Sequence, residues 1–144
     1  MNKASFLADV AQYLGCDARR SEGVTFVVFQ ELRHRLPAKE VGDVAAQLPA
    51  DLRRLWEDES GGAERRTGRI GREEFLGRIR IGAGLPDDHE AERAARAVFR
   101  ALQKALGSPH GREGEAWDVL SVLPKDLKLL WLAAAESPAP DTVR

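Results

Sequence analysis

The side chains that are most often used in catalysis or metal binding are few and widely spaced in this sequence. The three histidines are His34, His89 and His110, and none has a partner histidine, cysteine or carboxylate at a spacing typical of metal sites. A histidine without an orienting partner is a weak candidate for general acid or base catalysis. The sequence therefore predicts no catalytic residue, no metal site and no cofactor.

Cys16 is the only cysteine of the chain. It follows the end of the first predicted helix, where the helix dipole has the wrong sign to stabilise a thiolate, although Arg19 and Arg20 are close in sequence. Free cysteines are usually buried and act as small apolar residues. We expect a packing role for Cys16 and, because a single cysteine cannot form an internal disulfide, a cytoplasmic location.

Sequence motifs that carry enzymatic chemistry are also absent. The glycine-rich segment GGAERRTGRIG, residues 61–71, lacks the Gly-Lys-Ser/Thr ending of a phosphate-binding loop, and no predicted strand precedes it. Neither a Gly-x-Ser-x-Gly elbow nor a His-Glu-x-x-His sequence occurs,. We therefore expect that the protein is not an enzyme. The alternative is an enzyme whose active site lies in a cleft between the two halves.

A cluster of arginines is the main charged feature of the chain. Residues 65–80 contain six arginines and only two carboxylates, Glu73 and Glu74, and guanidinium groups bind phosphates well. The candidate phosphate contacts are Arg65, Arg66, Arg69 and Arg72. The whole chain has a net charge of −1, so we favour a solvated linker and helix face for these arginines and keep nucleic-acid binding as the alternative.

An internal repeat organises the sequence. Residues 43–56 read DVAAQLPADLRRLW, and residues 118–131 read DVLSVLPKDLKLLW, with eight of fourteen positions identical at an offset of 75. Upstream, Val28 and Phe29 align with Val98 and Phe99 at an offset of 70, and Phe6 aligns with Phe75 at an offset of 69. A repeat of this length is typical of a fold assembled from two copies of one helical unit.

Apolar spacing predicts four helices in each copy. The fold class is therefore all-α, with two tandem four-helix units packed into one compact domain. The predicted organisation is unit 1 at 1–58, a Gly/Arg-rich linker at 59–71, unit 2 at 72–136 and a flexible tail at 137–144. Trp56 and Trp131, which close the repeated element, are expected to be core anchors rather than ligand-stacking residues. No apolar run is long enough to span a membrane.

One segment of unit 1 has a composition at odds with the repeat. Residues 23–29, GVTFVVF, are rich in the β-branched and aromatic residues of strands, but the counterpart RAARAVF is typical of a helix. Tertiary context often overrides local propensity, so we predict a helix here.

The same segment gives this helix surplus apolar surface. Phe26 aligns with Arg96, Val27 with Ala97 and Val24 with Ala94. A helix that is apolar nearly all round is either buried on several sides or offers a surface to a partner. Val24, Phe26 and Val27 are therefore a candidate partner surface, with burial between the two copies as the alternative.

The repeated elements resemble a bacterial family known as domain of unknown function 2267. The resemblance rests on the opening FLADVAQYLG, the long helix AERAARAVFRALQKAL and the closings QLPADLRRLW and VLPKDLKLLW, and it extends from about Phe6 to Trp131. In the first copy, GVTFVVF departs from the alanine and arginine that the family tends to have. The resemblance implies an all-helical fold but no reaction, substrate or cofactor.

We therefore expect a helical binding or adaptor protein that acts through contacts with a protein partner or with a second copy of itself. No membrane or metal partner is expected.

Overall fold

The computed structural model describes residues 1–60, 71–107 and 114–136, and the regular secondary structure of these residues is α-helical throughout. The described residues form eight helices and no strand, so the predicted all-α class is confirmed. The predicted tail, and all of the predicted linker except residues 59, 60 and 71, lie outside the described residues. The helices are α1 (Lys3–Leu14), α2 (Ala18–Arg33), α3 (Ala38–Gln47), α4 (Ala50–Glu57), α5 (Arg72–Ala83), α6 (Asp88–Ala105), α7 (Gly114–Val122) and α8 (Lys125–Glu136).

The apolar segment 23–29 lies within α2, so the helix prediction is confirmed there. α2 ends at Arg33. The residue that precedes a proline is restricted to extended backbone, so Leu36 before Pro37 is a poor position for a helix. Pro49 is the N-cap of α4.

The ends of the first two helices of each half have matching geometry. Gly15 and Gly84 end α1 and α5 in the left-handed conformation, with φ of 70° and 65°, which glycine adopts without a steric penalty. Asp17 and Asp87 then cap α2 and α6, each accepting a hydrogen bond of 2.8 Å from a backbone N–H three residues later. Side-chain caps of this kind stabilise a helix start.

The long helices of both halves share one core. α1 packs on α2 and α6, while α5 packs on α6 and α2. α4 contacts α2, α8 contacts α6, and α3 contacts both α4 and α7. The helix order and several helix contacts recur in the two halves. The arrangement as two four-helix units related by a repeat stays a prediction.

Two aromatic clusters lie inside this core. Phe29 is 5.5 Å from Phe6 and 5.1 Å from Trp56 between ring centroids. In the other half, Phe99 is 6.1 Å from Phe75 and 5.2 Å from Trp131. Both tryptophans are fully buried, so their expected role as core anchors is confirmed. Trp56 also donates a 3.0 Å hydrogen bond from Nε1 to the carbonyl of Val41, which ties α4 to α3.

The aspartate of each repeated Leu-Pro-x-Asp-Leu element binds the start of another helix. Asp51 Oδ2 accepts a hydrogen bond of 3.1 Å from the backbone N–H of Lys3. Asp126 Oδ2 accepts the equivalent bond of 3.3 Å from Arg72. The first N–H groups of a helix have no partner within it, so both aspartates stabilise a helix N-terminus through a tertiary contact.

Among the described residues, the helices are either too short or too polar to cross a membrane.

Candidate functional site

The predicted partner surface on α2 is largely buried. Val24 and Val27 are 1% and 8% exposed, and Phe26 is half-buried against the same core. The prediction that Val24 and Val27 belong to an exposed surface is therefore wrong. The physical reason is that α2 packs against α1, α4, α5 and α6, so its surplus apolar faces meet neighbouring helices.

The predicted phosphate contacts are only partly visible. Arg65, Arg66 and Arg69 lie outside the described residues. Arg72, the first residue of α5, forms an ion pair with Glu92 of α6. Its guanidinium therefore already has a carboxylate partner, which joins α5 to α6.

A groove lies between α2 and α5, beside the predicted surface. Its volume is about 540 Å³, which falls within the range of about 300–1,000 Å³ of ligand-binding clefts. The apolar part is formed by Val27 of α2 and by Gly77, Ile81 and Gly82 of α5. Polar lining residues are Gln30, Glu31, Glu74 and Arg78.

Two glycines of α5 give this groove its shape. A Cβ atom on Gly82 would lie 2.9 Å from Cγ1 of Val27, so only glycine lets the helices approach this closely. A Cβ atom on Gly77 would meet no atom within 4 Å, so the missing side chain there leaves open space. Ile81 lies between these positions and is 73% exposed, the largest fraction among the exposed large apolar residues that the structure describes.

The equivalent surface between α1 and α6 is closed. Tyr13 aligns with Gly82 at the offset of 69, and the Arg100 guanidinium lies over its ring, 5.9 Å from the centroid. Lys104 of α6 bonds Asp9 of α1 at 3.1 Å on the same side. A tyrosine and an ion pair therefore occupy the region that is open in the α2–α5 groove.

The carboxylates of the groove take part in ion pairs. Glu31 lies 3.7 Å from Arg35, and Glu74 lies 3.4 Å from Arg78. Both pairs have the i, i+4 spacing that stabilises helices. Glu31 and Glu74 of the lining are thus each paired with an arginine of their own helix.

Cys16 lines a smaller cavity of about 210 Å³ with Leu14, Arg20 and Leu85 among its walls. Burial, and then the charge of Asp17, raise the pKa of its thiol, and Arg20 lowers it. A thiol with a raised pKa is a poor nucleophile at neutral pH. These observations fit the packing role expected of Cys16.

Two of the three histidines lie in the described part of the chain. His34 follows the last residue of α2 and is half-buried. His89 is exposed at the start of α6, and His110 lies outside the described residues.

Three carboxylates that the sequence analysis did not single out converge where α3 meets α7. Oxygen atoms of Glu40, Asp43 and Glu115 lie within 4.8 Å of one another. The available signal was a Glu-x-x-Asp spacing at 40/43 and at 115/118, which is part of the repeat at the offset of 75.

The chain belongs to the family described as Uncharacterized conserved protein (DUF2267), whose model matches residues 3–137. The resemblance stated from the repeated motifs is therefore confirmed. No curated protein matches the chain.

Proposed function

We propose that this protein is a cytoplasmic binding protein whose α2–α5 groove receives an apolar segment of a protein partner. The observation that carries the proposal is Ile81, a large apolar side chain that is 73% exposed beside a groove formed by two glycines. An exposed apolar side chain beside a cleft is a feature of binding sites, because a partner that covers both removes apolar surface from water.

The difference between the two halves supports a functional rather than an architectural origin for the groove. Ile81 aligns with Gln12, and Gly82 aligns with Tyr13. At these two positions the α1–α6 surface thus carries a glutamine and a tyrosine, while the α2–α5 surface carries an isoleucine and a glycine. A requirement of the shared helix packing would apply to both surfaces.

The shape and charge of the groove favour a short amphipathic helix as the occupant. A cleft between two helices accepts the apolar face of a third helix, with side chains spaced by three or four residues. Glu74 and Arg78, which pair with each other at the rim, favour a partner helix with polar residues beside its apolar face.

Site-specific photo-crosslinking in the producing cell tests this proposal. A photoreactive phenylalanine analogue at position 81 should form an adduct with one partner protein. The matched control is position 129, because Leu129 is also exposed and apolar, at 63%, but lies on α8. An adduct at position 81 with twice the mass of the chain would show that the groove binds a second copy of this protein and not a different partner. Equal adducts at both positions, or none at 81, would contradict the proposal.

A further inference from the structure

The carboxylate cluster between α3 and α7 is built from the same spacing on two equivalent helices. Glu40 and Asp43 of α3 align with Glu115 and Asp118 of α7 at the offset of 75. Residues three apart share one face of a helix, and α3 packs against α7. Acidic faces of the two halves are therefore brought together.

Glu40 is the buried member of this cluster. It is 8% exposed, and its Oε2 atom has no hydrogen-bond partner within the part of the chain that the structure describes. Oε2 of Glu115 is also inaccessible and without a hydrogen-bond partner there. A buried carboxylate oxygen normally has a hydrogen-bond donor or a cation beside it. One carboxylate oxygen from each of Glu40, Asp43 and Glu115 lies within 4.8 Å of the other two.

The described side chains supply little positive charge to offset this concentration of negative charge. Lys39 Nζ bonds Asp43 Oδ2 at 2.9 Å, but the lysine side chain is 87% exposed and lies at the outer edge.

We propose that Glu40, Asp43 and Glu115 bind a divalent cation, Ca²⁺ before others, which joins α3 to α7. Carboxylate oxygens are the ligands that Ca²⁺ and Mg²⁺ take in proteins, at about 2.3–2.6 Å and about 2.0–2.1 Å respectively. Two oxygens on opposite sides of Ca²⁺ are then up to about 5 Å apart, against about 4 Å for Mg²⁺. A cluster that spans up to 4.8 Å accommodates Ca²⁺ without a large rearrangement.

The consequence of this site is mechanical and independent of the α2–α5 groove. α3 belongs to the first half of the chain and α7 to the second. A cation held by carboxylates of both helices links the halves on the side of α3 and α7. We expect weak binding, with a dissociation constant of about 10⁻⁴–10⁻³ M, because only three side chains contribute and water supplies the other ligands.

Thermal unfolding of the full-length protein tests the site. Relative to EGTA at matched ionic strength, 10 mM CaCl₂ should raise the Tm of the wild type by about 3–5 °C if the dissociation constant is about 1 mM. Glu40→Gln and Glu115→Gln keep the shape of the side chain, and both should abolish this rise. Glu73→Gln, which removes an exposed carboxylate of α5, should retain it. The site is contradicted if the wild type shows no Ca²⁺-dependent rise, or if the cluster variants rise as much as the wild type.

Two further readouts separate cation binding from a structural role. In EGTA, Glu40→Gln and Glu115→Gln should unfold at or above the Tm of the wild type, because each removes like charge from the cluster. A clear loss of Tm in EGTA would instead assign the carboxylates to structure alone. Replacing CaCl₂ by MgCl₂ should give a smaller rise, and an equal rise would overturn the preference for Ca²⁺.

A spectroscopic readout does not depend on stability. Trp117 is two residues from Glu115 on α7, so Tb³⁺ in the site should emit when tryptophan is excited. Ca²⁺ should displace this emission in the wild type, and Glu40→Gln should remove it. Emission that persists unchanged in Glu40→Gln would place the bound ion elsewhere.

Discussion

Gly82 of α5 lies so close to Val27 of α2 that a Cβ atom on the glycine would be 2.9 Å from Val27 Cγ1. In the equivalent α1–α6 pair, the aligned residues are Tyr13 and Ala97. In the first pair the larger residue, Val27, is on α2 and the glycine is on α5. In the second pair the larger residue, Tyr13, is on α1, the counterpart of α5, and the small one is on α6. This difference leaves α5 without a side chain at position 82, and Val27 of α2 packs into the space that such a side chain would need.

The two groove glycines should respond oppositely to alanine. Gly77→Ala should stabilise the protein by about 0.5–1 kcal/mol, because alanine favours the helix and the new Cβ enters open space. Gly82→Ala should instead destabilise the protein, because the new Cβ must displace the branched side chain of Val27. Urea unfolding measures the free energy of unfolding of each variant. The values are comparable if both variants keep the same m-value.

A double-mutant cycle isolates the contact between positions 82 and 27. Val27→Ala introduces the residue that α6 carries at the aligned position, so it should make room for a Cβ at position 82. We expect a favourable coupling energy of at least about 0.5 kcal/mol between Gly82→Ala and Val27→Ala. Additive effects would mean that the contact with Val27 is not the reason why position 82 requires glycine.

The aspartates of the repeated closing element should each contribute to the stability of a different helix. Asp51→Ala and Asp126→Ala remove the carboxylates that bind the N-termini of α1 and α5, and each should cost about 0.5–2 kcal/mol. α1 keeps its Asn2–Ser5 capping box, whereas Gly71 offers α5 no side-chain cap. The loss at Asp126 should therefore be the larger one in urea unfolding. A neutral result for Asp126→Ala would show that the repeated aspartate has another role.

The thiol of Cys16 should react slowly at neutral pH and faster as the pH rises. Burial and the charge of Asp17 raise its pKa, so the thiolate fraction at pH 7 is smaller than for an ordinary cysteine. Asp17→Asn removes the charge but retains a good N-cap for α2, and it should shift the rate profile of thiol labelling to lower pH. An unchanged profile would mean that Asp17 does not affect the thiol.

Stability should depend on pH through Glu115. Its pKa is raised in the folded protein by burial and by Asp118, so the unfolded chain loses this proton at lower pH than the folded one. The free energy of unfolding should therefore fall as the pH rises from the ordinary glutamate pKa through the raised one. Glu115→Gln should remove this part of the pH dependence, as measured by urea unfolding in EGTA. A dependence that persists in full would assign it to other groups.

The repeat alone was sufficient to predict several features of the core. Trp56 and Trp131 recur with the same neighbours in sequence, and equal packing demands in both halves make them core residues. The helix at 23–29 was also predictable, because its counterpart has a clear helical composition. These features depend on local periodicity and on burial, which the sequence pattern records directly.

The surfaces were less predictable, because they depend on which helices meet. Apolar Val24 and Val27 indicated either a surface or burial, and only the contacts of α2 with four helices decide for burial. Convergence of Glu40 with Glu115 requires α3 to pack on α7, which no spacing in the sequence encodes. The close approach of α5 to α2 likewise depends on the missing side chain at Gly82, which matters only opposite Val27.

The most direct test of the groove as the binding surface is the affinity for the partner segment that crosslinks at position 81, measured by calorimetry. Ile81→Gln introduces the residue aligned at position 12, and Leu129→Arg introduces the one aligned at position 54. Ile81→Gln should weaken binding about tenfold or more, while Leu129→Arg should leave it within about twofold, as expected outside a contact surface. Undiminished affinity in a folded Ile81→Gln protein would contradict the assignment of the α2–α5 groove.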